Sequence, residues 1–236
     1  MYMFDLSIVI PCYNESDNIN NLYKKLLILK KSKYSIQILL VNNGSNDDTE
    51  QKITKLVNQN TLFKYIKIEH NIGYGNGIIQ GLNQAEGNYV AWTHADLQTN
   101  PLDILVGLDI LNNNFSKKVV VKGSRINRTF NDKFFTMLMT MTASIIFGMK
   151  LEDVNAQPKI FHRTFLKYLK KAPLDFSLDL FFLIIAKKNQ YKVLDFPVYF
   201  HSRKAGEAKG GDGSLKNKFK LIFRTLKFIY KLRLSL

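Results

Sequence analysis

The chain has one cysteine and no long hydrophobic run. The single cysteine, Cys12, excludes an internal disulfide framework and is typical of a reducing compartment. The longest apolar candidate, Phe134 to Met149, is shorter than the roughly 18 residues of a membrane span, and threonines interrupt it. It predicts a buried or interfacial helix. Because Asp5 and the strand-like "LSIVIP" follow the start at once, no signal peptide is expected.

Acidic residues are also scarce. The 236 residues include 34 Lys and Arg against 19 Asp and Glu, which gives a formal net charge of +15. This balance indicates acidic partners, among them nucleic acid, phosphorylated small molecules and anionic lipid, and charge alone does not select one. A hydrophobic fraction of 46% predicts a sizeable core and excludes a disordered chain.

The first half of the chain alternates short apolar runs with helical patterns. The predicted strands are Leu6–Ile10, Ile36–Val41, Tyr65–His70, Asn88–Thr93 and Lys118–Gly123. Predicted helices lie between them, at Ser16–Lys31, about Asp47–Asn60, about Gly75–Ala85 and after Pro101. Nearly continuous apolar strands separated by helices predict a mostly parallel sheet that is covered on both faces.

Polar clusters follow three of these strands: "PCYNES" the first, "NNGSNDDT" the second and "HADLQ" the fourth. Ligands of such sheets bind beyond the carboxyl ends of the strands, so the clusters predict one shared site. In the first cluster, Tyr13 can pack against a flat ring, while Asn14 and Glu15 hydrogen-bond a base or ribose. Helix capping by Ser16 is the alternative interpretation.

The second cluster contains Asn42 and Asn43, whose amides can read a nucleobase edge. An ordinary Asn-Gly turn is the alternative. Further along, Gly73, Gly75 and Gly77 precede a helical pattern and resemble a phosphate loop only weakly. These glycines favour close approach of the backbone to a nucleotide or to the sheet.

The fourth cluster, "THADLQTN", sets one carboxylate, Asp96, between His94 and Gln98. It is either a divalent-metal site with a single carboxylate or a polar strand end. Mg²⁺ keeps several waters and needs few protein ligands, so one carboxylate suffices when phosphate oxygens supply the rest. Neutral imidazole suits Mn²⁺ better than Mg²⁺, which makes a hydrogen-bonding role for His94 more natural than direct ligation of Mg²⁺.

Taken in order, "SIVIPCYNES", "ILLVNNGSNDDT", "NIGYGNGIIQGLNQAEGNYVAWTHADLQTNP", "VKGSR", "VNAQPKIFHR" and "FPVYFHSRKAGEAKGG" resemble an inverting family 2 glycosyltransferase. The closest similarity is to polyprenyl-phosphate and dolichol-phosphate sugar transferases. The resemblance covers residues 5 to 211. It implies an α/β GT-A fold, a Rossmann-like, mostly parallel sheet with helices on both faces, plus a C-terminal amphipathic helix. Residues 1–211 would form the catalytic domain and residues 212–236 the basic helix.

The resemblance also implies a site. Asp96 and Gln98 would face Mg²⁺ or Mn²⁺, with His94 where the family usually has a first aspartate. Asn42 and Asn43 stand where the family has aspartates, which leaves UDP and GDP donors both open. The nucleotide-binding residues would be Pro11, Tyr13, Asn14, Glu15, Asn43, Gly75, His94 and Ala95. The catalytic residues would be Asp96, Arg125, Arg203 and Lys209.

Positive charge near the donor would come from two segments. Arg125, in "GSR", would contact phosphate or acceptor, and Arg128 would assist it. The loop "RKAGEAKGG" resembles the family's basic loop over the diphosphate, where Arg203 and Lys209 would face the leaving group. A solvated linker is the alternative for that loop.

The acceptor side has no clear base. The family places an acidic residue hereabouts for hydroxyl acceptors, and the candidates are Asp153, Asp175 and Asp179. None of them stands in a Glu-Asp pair, which favours a phosphate acceptor that is already ionised. The expected acceptor is therefore a polyprenyl phosphate or a lipid-linked glycan, in the synthesis of a cell-envelope glycan.

The C-terminal tail carries apolar residues at helical spacing from Leu215 to Tyr230, with lysines and arginines largely outside that stripe. Such a helix suits an anionic membrane surface, which would make the protein peripheral on the cytoplasmic face of the cell membrane. Packing on its own domain or on a second copy is the alternative. Two other hypotheses remain: a transferase-like protein without catalysis, and a basic module that binds nucleic acid or an acidic polymer. Nucleic acid is not expected as a partner, because no nucleic-acid motif is present.

Overall fold

The computed structural model describes residues 3–58, 60–114, 116–128, 130–203 and 215–235. In these ranges the strands are β1 (Phe4–Cys12), β2 (Ile36–Asn43), β3 (Phe63–Ile68), β4 (Gly87–Trp92), β5 (Val119–Ile126), β6 (Lys159–His162) and β7 (Lys192–Tyr199). The α-helices are α1 (Ser16–Leu26), α2 (Thr49–Val57), α3 (Tyr74–Asn83), α4 (Asp103–Asn112), α5 (Phe130–Phe147), α6 (Leu178–Lys188) and α7 (Leu215–Ser235).

The seven described strands form one sheet in the order β3-β2-β1-β4-β6-β5-β7. Neighbouring strands from β3 to β4 are parallel, and β5 is parallel to β7. β6 runs antiparallel to both β4 and β5. The chain builds outward from β1 through β2 to β3 and then returns to place β4 on the other side of β1. The sheet therefore has a switch point between β1 and β4, where ligands of such folds bind.

Each face of the sheet carries its own hydrophobic core because side chains alternate along the strands. One core contains Val9 of β1 together with apolar residues of α3, α6 and α7. The other contains Ile8 and Ile10 of β1 with residues of α1, α2 and α4. Gly81 lets α3 approach closely, because a Cβ there would lie 2.3 Å from Cγ1 of Val9. The result is the mostly parallel α/β fold that the sequence predicts.

Three local predictions need correction. The helix predicted through Lys31 is α-helical only to Leu26 and continues as a 3-10 helix over Leu27–Lys31. The third strand lies two residues earlier than predicted, at Phe63–Ile68. β6 was not predicted as a strand, because four residues are too few to show a period.

The C-terminal helix α7 packs on α5. Its apolar side chains divide between two faces. Ile229 and Leu232 are buried in the core, while others stay exposed, namely Phe223 (72%), Leu226 (37%), Tyr230 (66%) and Leu234 (71%). Packing on its own domain therefore accounts for one face of the helix. The predicted boundary after residue 211 lies outside the described residues.

Within the described ranges, no helix combines the length and the apolar character that crossing a bilayer requires.

Candidate functional site

A cavity of about 500 Å³ lies at the carboxyl edge of the sheet. The loops after β1, β3 and β4 reach it, and so do the carboxyl-end residues of β2 and β5, because the carboxyl ends of parallel strands share one edge of the sheet. Most of the predicted site residues line it, namely Pro11, Tyr13, Glu15, Asn43, His94, Ala95, Asp96, Gln98, Arg125 and Arg203. One cavity is thus lined by residues that are up to 192 positions apart in the sequence, from Pro11 to Arg203.

Asn14 and Gly75 lie beside the cavity and do not line it. Asn14 has a φ of 51° and joins the first two turns: its N–H donates to Ser45 Oγ (3.1 Å), and its Oδ1 accepts from Asn46 N–H (2.9 Å). A Cβ on Gly75 would lie 2.5 Å from the carbonyl oxygen of Pro173, so this glycine serves contact between backbones. Lys209 lies outside the described residues.

Asn42 and Asn43 have different surroundings although they are adjacent. The Oδ1 of Asn42 accepts from Ser45 N–H at 3.1 Å, which is the turn geometry of the alternative interpretation. Asn43 lines the cavity and donates its amide to Gly73 O at 3.0 Å. Its Oδ1 is buried and has no hydrogen-bond partner among the described residues. Asn43 therefore lines the cavity together with Pro11 and Tyr13, while its unpartnered oxygen is shielded from solvent.

The first helix is not capped by Ser16. Ser16 is the first residue of α1, Glu15 occupies the N-cap position, and no side chain forms a cap hydrogen bond there. Instead Glu15 N–H donates to Thr49 Oγ1 at 2.8 Å, and Ser16 N–H donates to Asp47 Oδ2 at 3.2 Å. The second turn thus holds the first. The Glu15 side chain lines the cavity and accepts from Asn18 Nδ2 at 2.7 Å.

Asp96 and Gln98 converge on a cationic group. Asp96 is 7% exposed, and its Oδ2 accepts from Arg203 Nη2 at 2.8 Å. The same nitrogen lies 3.4 Å from Gln98 Oε1. The β4 loop is tied to the end of β7 as well, since His201 N–H donates to Gln98 O at 2.8 Å. A carboxylate oxygen and an amide oxygen that both contact one guanidinium are ligand types that a divalent cation such as Mg²⁺ binds.

His94 stacks on Tyr74, with ring centroids 5.8 Å apart and an interplanar angle of 29°. Burial lowers the pKa of His94, and the charges of Asp96 and Asp179 oppose this shift. The imidazole is therefore held in its neutral form near neutral pH. Among the described residues, no three His, Cys, Asp or Glu side chains cluster in a way that would hold a metal on their own.

Arg125 is held by Asp153. Its backbone N–H donates to Asp153 Oδ2 at 2.7 Å, and Nε donates to Oδ1 at 3.0 Å, with a further close contact from Nη2. Arg128 Nη1 adds a contact to the same oxygen at 3.4 Å. Burial disfavours the ionised carboxylate, but the hydrogen bonds and charge of Arg125 outweigh it and lower the pKa of Asp153. Asp153 therefore positions an arginine at the cavity.

A buried polar cluster lines the cavity on the side of β6. Asp179 forms an ion pair with Lys159 and accepts from Gln157 Nε2 at 3.0 Å. Burial lowers the pKa of Lys159, and the charge of Asp179 opposes that shift. Of these residues, the sequence suggested Asp179 alone, as one of three acidic candidates.

Sequence reasoning missed several cavity residues, namely Asn71, Tyr74, Thr99, Asn155, Gln157, Phe176 and Phe200. All of them except Phe176 lie in segments that carry the family resemblance, but sequence reasoning gave none of these residues a role of its own. The one available signal was the position of Tyr74 between Gly73 and Gly75.

Comparison with known proteins identifies the family. Residues 7–175 match the model of glycosyl transferase family 2, so the chain belongs to that family. It is 28% identical over 170 residues to an uncharacterized glycosyltransferase of Synechocystis, a match that covers 72% of this chain and 54% of that protein. It is 35% identical over 91 residues to poly-beta-1,6-N-acetyl-D-glucosamine synthase of Staphylococcus aureus, covering 39% of this chain and 21% of the synthase. The matches thus span about half of the first relative and about a fifth of the second.

Solved structures confirm the GT-A fold. Glucosyl-3-phosphoglycerate synthase from Mycobacterium tuberculosis, in complex with UDP, superposes with a TM-score of 0.76 at 15% identity, covering 98% of this chain and 80% of that one. The same enzyme with Mn²⁺, UDP-glucose and phosphoglyceric acid gives a TM-score of 0.76 at 14% identity, with the same coverage. Family membership favours the enzyme over a basic module that binds nucleic acid.

Proposed function

We propose that this chain transfers a sugar from a UDP- or GDP-linked donor to an acceptor, with inversion and with a divalent cation held at Asp96 and Gln98. The observation that carries the proposal is the convergence of Asp96 Oδ2 and Gln98 Oε1 on one positive charge, inside a cavity at the switch point of the sheet. The solved complexes of a protein with this fold contain UDP-glucose and Mn²⁺, or UDP and Mg²⁺, which supports the donor class and the cation.

The reaction would be a single displacement. An acceptor oxygen forms a bond to the anomeric carbon while the bond from that carbon to the diphosphate oxygen breaks on the opposite side. When bound, Mg²⁺ or Mn²⁺ supplies charge that offsets the departing diphosphate. Arg203 and Arg125 line the same cavity and add positive charge to it. Asp153 keeps Arg125 in place for this task.

The acidic side chains favour an acceptor that needs no strong base. Asp153 is engaged by two arginines, and Asp179 is buried beside Lys159. Asp175 accepts from Ser177 N–H at 2.8 Å. A phosphate acceptor is ionised near neutral pH, so we propose a polyprenyl phosphate, with the hydroxyl of a lipid-linked glycan as the alternative.

We further propose that the exposed faces of α5 and α7 rest on the cytoplasmic side of the cell membrane. On α5, Met137 (54%), Met141 (52%) and Ile145 (76%) are exposed at four-residue spacing. On α7, exposed apolar side chains alternate with exposed basic ones, namely Arg224, Lys227, Lys231 and Arg233. Apolar area flanked by lysine and arginine is the composition that binds an anionic lipid surface.

Membrane binding is tested by co-sedimentation with phosphatidylglycerol-rich and with neutral phosphatidylcholine vesicles. Binding to the anionic vesicles should fall with salt, and Phe223→Ser with Tyr230→Ser should weaken it. A control variant, Ile72→Ser, removes an equally exposed apolar side chain (62%) from a loop elsewhere. If the native protein binds neither kind of vesicle but elutes as a dimer, the result would show that this face binds a second copy.

The transfer itself is tested by nucleotide release from a panel of UDP- and GDP-sugars with polyprenyl phosphate and Mg²⁺ or Mn²⁺. We expect release with one base and loss of release in Asp96→Ala. Full activity of Asp96→Ala would refute the assigned site. Tight binding of a nucleotide sugar without turnover in the whole panel would instead support a transferase-like protein without catalysis. His94, Asn42 and Asn43 are the departures from the family pattern that motivate this alternative.

A further inference from the structure

We infer that the C-terminal helix α7 supports ligand binding in the cavity, and that Arg224 of this helix is a positioning residue. Its guanidinium holds the ring of Phe176 in the wall of the cavity. This inference rests on the proposed function and deepens it, because it gives α7 a task in the binding site in addition to the proposed contact with the membrane.

Three rings form a stack along the wall of the cavity. Tyr74 stacks on His94, with centroids 5.8 Å apart, and also on Phe176, with centroids 5.0 Å apart and an interplanar angle of 7°. All three residues line the cavity. His94 lies two residues before Asp96, so the stack begins beside the proposed cation site and ends at Phe176.

Arg224 of α7 stands over the last ring of this stack. Its Cζ lies 5.6 Å from the centroid of the Phe176 ring, which is the geometry of a cation–π interaction. The Nε of Arg224 also lies 3.9 Å from Asp175 Oδ2, and these two side chains are 48% and 39% exposed. A long and exposed ion pair contributes little by itself, but it keeps the guanidinium beside the neighbouring ring.

The backbone that carries Phe176 is anchored on the N-terminus of α3. Asn76 N–H donates to Leu174 O at 2.9 Å. A Cβ on Gly73 would lie 2.2 Å from the same oxygen, so the two backbones are in direct contact. Because the backbone is fixed, the feature that remains to be set is the direction of the Phe176 side chain.

Packing holds this side chain only in part. Phe176 is 36% exposed, and it lines a second cavity of about 60 Å³ as well as the larger one. The second cavity is also lined by Thr140 of α5, Leu180 of α6 and Thr225 of α7. A ring beside empty space lacks contact atoms on that side, so fewer contacts oppose its rotation. The stack on Tyr74 and the guanidinium of Arg224 therefore become important for keeping the ring in place.

A wall that is ordered before the ligand arrives favours binding, because less freedom is lost on association. Without Arg224, the ring of Phe176 should turn more freely toward the second cavity, and each binding event would have to restore its position. The cost should fall on ligand binding and much less on folding, because the Arg224 side chain is about half exposed.

The test measures the dissociation constant of a nucleotide sugar by calorimetry, with Mn²⁺ and without vesicles. The probes are UDP-glucose, UDP-N-acetylglucosamine and GDP-mannose, and the one that binds the native chain best is used throughout. Arg224→Met should raise its dissociation constant about two- to five-fold, the range that a cation–π contact at an exposed site supplies. The melting temperature should stay close to that of the native chain.

The matched control is Lys227→Met, which removes an exposed positive charge three residues further along α7. It should leave the dissociation constant of the nucleotide sugar unchanged. Its binding to anionic vesicles should weaken about as much as that of Arg224→Met, because basic residues near such a surface contribute similarly. The control therefore separates the effect of Arg224 on the cavity from the contact of α7 with the membrane.

A double-mutant cycle shows whether Arg224 acts through Phe176. Phe176→Leu removes the ring but keeps an apolar side chain, and by itself it should weaken the nucleotide sugar. Adding Arg224→Met to Phe176→Leu should cause no further weakening, because the partner of the guanidinium is already absent. A purely structural role of Arg224 would instead give the same factor in both backgrounds.

The outcomes that would overturn the inference alone are an unchanged dissociation constant in Arg224→Met or in Phe176→Leu, an equal rise in Lys227→Met, and additive effects in the double variant. A native chain that binds none of the nucleotide sugars would overturn the proposed function and this inference with it.

Discussion

Arg203 occupies the position of a cation between Asp96 and Gln98, so removing it should strengthen metal binding when no nucleotide is present. Arg203 Nη2 lies 2.8 Å from Asp96 Oδ2, and the two side chains are 22% and 9% exposed. A hydrogen bond between charged groups contributes about 1.5–3 kcal/mol, and the partial exposure of Arg203 places this one near the lower end. Since about 1.4 kcal/mol is a factor of ten, Arg203→Met should lower the Mn²⁺ dissociation constant about ten-fold.

The assay is titration of Mn²⁺ into the protein, with free Mn²⁺ followed by electron paramagnetic resonance. The affinity for UDP or GDP should change in the opposite direction to the affinity for Mn²⁺, because Arg203 lines the cavity that receives the diphosphate. Arg203→Met should therefore weaken the diphosphate while strengthening the metal alone. Lys33→Met is the control, since it removes one positive charge from an ion pair with Asp109 at the other edge of the sheet.

An unchanged or weaker affinity of Arg203→Met for Mn²⁺ without nucleotide would refute the reasoning. It would mean that Asp96 and Gln98 do not form the cation site, or that the guanidinium does not compete for it. An equal gain in Mn²⁺ affinity in Lys33→Met would mean that the loss of one positive charge, and not the position of Arg203, causes the effect.

Two predictions concern stability. Lys159→Met leaves the carboxylate of Asp179, whose side chain is 4% exposed, buried without its cation, and should lower the free energy of unfolding by about 3–5 kcal/mol in urea titrations. Lys159→Met combined with Asp179→Leu should recover most of this loss. Equal losses in the single and the double variant would contradict the prediction. The pKa of Asp153 is lowered because Arg125 outweighs the effect of burial, so its ionised form adds stability above the unfolded pKa of about 3.9 and loses it as the pH falls through the folded value. The difference in unfolding free energy between the native chain and Asp153→Asn should therefore be largest at pH 7 and should shrink below about pH 4. A difference that stays constant with pH would argue against Arg125 as the cause.

The prediction of fold class from the sequence was correct because hydrophobic periodicity and the polar ends of strands are local signals. Leu6–Ile10 and Ile36–Val41 read as buried strands whatever surrounds them, and both lie within observed strands. β6 lacked such a signal. Its four residues begin with a lysine that is completely buried, where Asp179 of α6 pairs with it and the carbonyl oxygen of Ala156, three residues earlier, accepts from it.

The candidate site divides in the same way. Tyr13, Asn43 and Asp96 were predicted because each ends or follows a strand, and the ends of parallel strands share one edge. Gln157 and Tyr74 were not predicted, although both stand in segments that carry the family resemblance, because a single glutamine or tyrosine carries no sign of where its side chain will lie. Their contact joins residues 83 positions apart.

By itself the sequence determined the alternation of strands and helices, the positive charge and the set of polar residues at the strand ends, since all of these depend on neighbours along the chain. The tertiary structure alone decided that Arg203 meets Asp96 across 107 residues. It alone decided that Asp153 holds an arginine while Asp179 is buried beside Lys159, so that similar carboxylates have different environments. The physical reason is that burial and charge pairing are properties of three-dimensional neighbours, which a linear pattern does not contain.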